Sequence, residues 1–133
     1  MPLQGIRVVD LTRILSGPFC TQLLADLGAE VIKIEGPRGD PVRHQGEFVN
    51  GLSWYFAQFN RNKKSSYSTS TTKDKNTLSK LLRTADVLVE NFRPGILLTW
   101  VLVNGKKKLK STINSCQRKG VRNCGALCRP PFI

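Results

Sequence analysis

The residues of this chain that could do chemistry are gathered in three polar stretches, each placed after an apolar run. The first is Asp10-Leu11-Thr12-Arg13, followed by Ser16-Gly17-Pro18. Ser or Gly just before Pro reads as a helix start, because Pro at the first helical position forfeits no hydrogen bond and already has a helical φ. A helix opening there turns its free N–H groups and the positive end of its dipole towards the loop, which favours a phosphate or carboxylate. The second stretch, Gly36-Pro37-Arg38-Gly39-Asp40-Pro41, is rich in turn residues and is followed by Arg43 and the single histidine, His44. Its arginines read either as contacts for an anionic ligand or as solvated loop charges. His44 has no Ser, Cys or acid at a telling spacing and reads as an ordinary loop residue. The third stretch is Asn91-Phe92-Arg93-Pro94-Gly95. Asp10 and Asp40 stand at these edges without a base partner, and both read as loop hydrogen-bonding groups.

The elements that must position these stretches follow from periodicity. Ile6 to Val9 is a short β-branched run, the mark of a buried strand. From Phe19 the apolar residues recur at Leu23 and Leu27, with Cys20 and Leu24 in the neighbouring row, which predicts a helix with that face buried. Gly28 suits its C-cap, and Glu30 to Glu35 is a second strand. Strand, helix and strand within about thirty residues make a βαβ unit with parallel strands, and ligands of such sheets bind at the carboxyl ends of the strands. Leu52 to Phe59 reads as a short aromatic helix whose Trp54, Tyr55, Phe56 and Phe59 serve a core or an interface, and Asn60 to Lys64 as a basic turn. Ser65 to Thr72 is weakly strand-like; a helix runs from Thr72 through Leu78, Leu81 and Leu82 to Ala85; Asp86 to Glu90 is another buried strand. The class is α/β, a layered structure of parallel strands with flanking helices. No G-x-G-x-x-G follows the first strand and no P-loop lysine pattern occurs, which excludes a nicotinamide or P-loop nucleotide site of the usual kind.

Charge separates two regions. Residues 1–95 carry thirteen Lys/Arg against nine Asp/Glu, a net of +4; residues 96–133 carry eight Lys/Arg and no acid, a net of +8. We therefore expect an α/β region over 1–95 and a basic divergent tail over 96–133. The apolar run Ile96 to Val103 is too short to span a bilayer, and Lys106-Lys107-Lys108-Leu109-Lys110 follows it. The tail is open to two readings: a patch for nucleic acid or acidic lipid, or an out-of-frame or alternatively spliced end never selected to fold and left disordered. Cys116, Cys124 and Cys128 lack a C-x-x-C pair and a histidine at ligand spacing, so no metal site is expected, and with Cys20 they give no disulfide framework. Met1-Pro2-Leu3-Gln4 leads straight into the first strand, so no signal peptide is expected; the location is expected to be cytoplasmic, with mitochondrial as the alternative.

GIRVVDLTRILSGPFCTQLLADLGAEVIKIE, GDPVR, WYFAQFNRNKKS and ADVLVENFRPG, in that order, resemble the amino-terminal part of the class III CoA-transferases, the family of formyl-CoA transferase, succinate–hydroxymethylglutarate CoA-transferase and α-methylacyl-CoA racemase. The resemblance covers about Leu3 to Gly95. It implies a Rossmann-like large domain, here incomplete, an interlocked homodimer, and coenzyme A lying over the carboxyl edge of the sheet. It also implies chemistry on acyl-CoA and a small carboxylic acid, in which an aspartate attacks the thioester and CoA passes to the acceptor carboxylate. Matched residue by residue, the CoA contacts fall on Leu15 and Ser16, where some relatives carry glutamine in place of Leu15. They fall also on Arg38, and on Asn91, Phe92 and Arg93. Tyr67-Ser68-Thr69-Ser70-Thr71 departs from the family pattern. The catalytic aspartate matches no residue here, so no catalytic residue is assigned and this chain, read as a truncated form, is expected to be inactive. The competing expectation is a small basic binding module whose tail contacts nucleic acid or acidic lipid.

Overall fold

The computed structural model describes residues 1–68 and 72–93, with the backbone alone for 72–76. The expectations for the tail after Gly95, its cysteines among them, lie outside the described residues. The elements are β1 (Arg7–Asp10), α1 (Ser16–Asp26), β2 (Glu30–Glu35), a 3-10 turn (Pro41–His44), β3 (Phe48–Val49), β4 (Leu52–Ser53), α2 (Trp54–Asn60), β5 (Lys63–Tyr67), α3 (Thr72–Thr84) and β6 (Val87–Val89). Four of the strands form one parallel sheet in the order β5-β2-β1-β6, with Val8 opposite Val31 and Val87 in the register. The chain thus winds outwards from β1 through β2 to β5, then returns to place β6 on the other side of β1. Among the described residues no helix is long and apolar enough to cross a membrane.

Both faces of the sheet are covered. Val8, Val31 and Val89 pack with Ala25 and Ala29 on the α1 side, while Val9, Leu11 and Leu88 pack with Leu78, Leu81 and Leu82 of α3 on the other. The apolar side chains of adjacent strands line up because side chains alternate along each strand. A pair of antiparallel strands, β3 and β4, stands apart from the main sheet, joined by Asn50 and Gly51, both at positive φ (50° and 79°). Asn-Gly is the pair that a two-residue hairpin turn of this hand prefers.

Three sequence expectations are corrected. The first strand is shifted one residue, to end on Asp10. Lys63 and Lys64, expected in a turn, open β5 and pair with Val31 and Ile32. The third correction is the orientation of α1, which buries Pro18, Thr21, Gln22 and Ala25 and leaves Phe19, Leu23 and Leu27 nearly half exposed. The sheet explains this inversion. Beneath α1 the strands present Asp10 and Lys63, so a small polar residue, Thr21, is what fits there. Phe19 instead meets Phe59 of α2 edge to face, with ring centroids 6.1 Å apart.

Candidate functional site

Beneath the carboxyl ends of the strands lies a set of buried charges. In β2 the inward face is Val31, Lys33 and Glu35, while Ile32 and Ile34 are only half buried. Each charge on that face has its partner. Lys33 Nζ lies 2.9 Å from Asp40 Oδ2 and donates to the Thr12 carbonyl at 2.9 Å. Glu35 accepts both Arg43 Nε and Nη2, at 2.7 and 2.6 Å, together with the Asp40 N–H and the Ser65 hydroxyl. Burial works to raise the Glu35 pKa, but these donors outweigh it and hold the group at about 2. Asp10 accepts from the backbone and hydroxyl of Thr12, the Thr21 hydroxyl and Lys63 Nζ, the last at 3.0 Å. Burial draws the Lys63 ammonium down to about 8, with Asp10 opposing the shift. Among the described residues no buried side-chain nitrogen or oxygen lacks a hydrogen-bond partner, as a low-dielectric interior requires.

Above this layer three loops meet. The strand order puts the point where the winding direction reverses between β1 and β6, the place where open α/β sheets leave a crevice. The loops after β1 and β6 are joined directly there. The Arg13 N–H donates to Asn91 Oδ1 at 3.0 Å, and Asn91 Nδ2 donates to the Arg13 carbonyl at 2.8 Å. The Arg13 guanidinium sits over the Phe92 ring, 5.1 Å from its centroid. The turns near Ser16 and Asn91 therefore lie at one end of the sheet. Between these loops and the one after β2 lies a pocket of about 220 Å³, lined by Leu11, Arg13, Ile34, Gly36, Gly39 and Phe92 among others. A more open groove beside it is lined by Arg13, Pro37, Arg38, Pro41 and His44.

Each residue singled out in the sequence can now be located. Leu15 is the N-cap position of α1 and Ser16 its first residue; both are exposed, and no side chain caps the helix. Exposed Arg38 lines the groove and half-buried Phe92 the pocket, while Leu15, Ser16, Asn91 and Arg93 are not among the lining residues of either. The carboxamide of Asn91 holds the first loop rather than facing outwards. Arg43, weighed as an anion contact, is committed to Glu35 and stacks 3.7 Å from the Phe56 ring centroid. Asp10 and Asp40 are buried hydrogen-bonding groups, as expected. Lys33 and Lys63 were missed, although one signal was available. A lysine two residues from both Val31 and Glu35 shares their face, and a lysine on the buried face of a central strand demands an acid.

A family model described as CoA-transferase family III matches residues 3–109. The chain belongs to CoA-transferase family III. The family match continues past Gly95, where the visible motifs end. The chain is 49% identical over 106 residues to the formyl-CoA:oxalate CoA-transferases of Escherichia coli O6:H1 (strain CFT073) and Shigella boydii serotype 18. That alignment takes in 74% of this chain and 26% of each relative, so the chain spans about a quarter of the length of these curated proteins. Among solved structures it resembles a CAIB/BAIF family protein from Brucella suis, with TM-score 0.70 and 42% identity over 75% of this chain and 28% of that one. A hypothetical protein from Mycobacterium tuberculosis is similar at TM-score 0.69 and 42% identity, over 76% of this chain and 28% of its own. Among the described residues no group of three or more His, Cys, Asp or Glu is placed to hold a metal ion.

Proposed function

We propose that this chain supplies the amino-terminal wall of a coenzyme A pocket, in a protein that moves CoA between an acyl-CoA and a carboxylic acid. The observation that carries this reading is the two-way bond between Asn91 and the Arg13 backbone, which brings the loops after β1 and β6 together at the reversal point of the sheet. Around that junction stand cations and open donors. Arg13, Arg38 and Arg93 are exposed, and the first turn of α1 has neither a capping side chain nor an acid. Such a helix end attracts phosphate, and CoA brings several phosphate groups. Leu15, Ser16, Arg38, Phe92 and Arg93 are the proposed contacts, with Asn91 fixing the loop that carries the first two. Phe92 offers an apolar surface in the pocket for the adenine ring.

The acyl-transfer step needs a carboxylate free to reach the thioester carbonyl. Of the buried acids, Asp10, Glu35 and Asp40 are each bound to a cation and to further donors and Glu90 accepts the Phe92 N–H, so none is proposed as that nucleophile. We therefore expect this 133-residue chain alone to exchange no CoA between carboxylates, and we propose that the acting form is a homodimer of the whole family protein. Calorimetric titration with free CoA tests the pocket. Saturable heat is expected, weakened about three- to tenfold in Arg38→Ala and in Arg93→Ala as one charge-assisted contact is lost. A chain that gives no heat and no protection on adding CoA would remove the reading.

A further inference from the structure

We propose that Asp40, clamped by Lys33, is a positioning residue for the loop that leads into α1, holding its backbone in a conformation that the loop's own sequence disfavours. Ile14 has φ 74°, the left-handed region that a β-branched residue rarely adopts. Its side chain is about half exposed, so packing does not hold it there. Its backbone N–H is instead directed at the Asp40 carboxylate, 3.1 Å from Oδ1 and 3.3 Å from Oδ2. Lys33 Nζ ties that carboxylate to the Thr12 carbonyl, and Asn91 grips Arg13 at both N and O. Three consecutive loop residues are thus held at the backbone by side chains from three other parts of the chain.

Asp40 is itself fixed. Its N–H donates to Glu35 Oε2 at 2.8 Å and its Oδ1 accepts from Val42 N at 3.2 Å, at the head of the 3-10 turn. Both members of the Lys33–Asp40 pair are essentially inaccessible, with side chains 1% and 0% exposed, so the pair acts on a ligand only through the loop. The strain at Ile14 then has a use: it turns the chain so that Leu15 and Ser16 begin the helix at the carboxyl edge. This inference rests on the CoA reading for its ligand, but the geometry of the loop does not.

Two measurements on the full chain separate the two ideas. Amide hydrogen exchange should show the Ile14 N–H protected despite its exposed side chain, with the protection lost in Asp40→Ala. In the CoA titration Asp40→Ala should raise Kd about tenfold, as expected if the competent loop conformer falls to about a tenth of the population. Adding Ile14→Gly to Asp40→Ala should recover part of the affinity, because glycine enters the left-handed region without help; a merely structural Asp40 would show no such rescue. Should Asp40→Ala fail to fold, Asp40→Asn, which keeps an acceptor for Ile14, is expected to retain both protection and intermediate affinity. Fast exchange of Ile14 in the unsubstituted chain overturns the inference, as does an Asp40→Ala chain with unchanged protection. So does an Asp40→Ala chain that loses the protection yet keeps its CoA affinity within twofold. If the unsubstituted chain takes up no CoA, the function reading fails and the exchange data alone decide the role of Asp40.

Discussion

At the scale of residues, buried ion pairs stand beside the apolar clusters under the carboxyl edge of the sheet. Glu35 is a group whose folded pKa, about 2, lies below its ordinary 4.5. A depressed carboxylate stabilises the fold above the unfolded value and loses that contribution as pH falls towards the folded one. Stability is therefore expected to decline between pH 4.5 and 2 by roughly 3 kcal/mol from this group, and acid denaturation of Glu35→Gln should lack that portion of the slope. The Lys63–Asp10 pair makes a second test. Lys63→Met leaves Asp10 buried without its cation and should cost about 3–5 kcal/mol, whereas Asp10→Asn with Lys63→Met together should cost markedly less. Urea titration of Lys63→Met, Asp10→Asn and the double variant checks this; a double-variant loss equal to the sum of the two single losses would show that the pair is not coupled. The loop roles of Asp10 and Asp40 were legible because acids after a strand, with no base nearby, have little else to do. Their lysine partners were not, because they lie 7 and 53 residues away in the chain.

At the scale of elements, the helices and main-sheet strands were legible in type and order, and orientation was not. β2 was expected over the residues where it is found, and α1 opens where Ser16-Gly17-Pro18 placed it. Gly17 has a steric reason to be there, since a Cβ at this position would run into the Thr12 side chain. The apolar repeat Phe19, Leu23, Leu27 marks a helix correctly but not which side of it meets the sheet. The prediction is direct: Leu23→Gln should change the stability of this chain by less than about 1 kcal/mol, while Leu88→Ala, at 1% exposure, should cost about 2–5 kcal/mol. Thermal unfolding of the two variants distinguishes a half-exposed α1 face from a buried one. The β3–β4 hairpin was missed although Asn50-Gly51 signals it, because its strands are two residues long and leave no alternating pattern to read.

At the scale of the whole molecule, four parallel strands in this order form a doubly wound sheet, with the crevice between β1 and β6 furnished from three loops. The matched formyl-CoA:oxalate CoA-transferases are about four times as long as the segment they share with this chain, and under the proposed function the pocket is one wall of a larger site. If that wall binds CoA by itself, ligand present at about one hundred times Kd should raise the unfolding free energy by about 2.7 kcal/mol. A melting temperature that does not move with CoA concentration would count against binding.

The family, the α/β class and the order of the helices and main-sheet strands were legible in the sequence. Those are properties of local runs and motifs, readable over a few residues at a time. It took the folded chain to show that α1 turns Phe19 and Leu23 outwards, that Lys33 and Lys63 go inside, and that Asn91 and Asp40 hold the backbone of the first loop. A buried charge is tolerable only where its counter-charge is also buried, and no pattern along the chain says which distant residue will be brought to meet it.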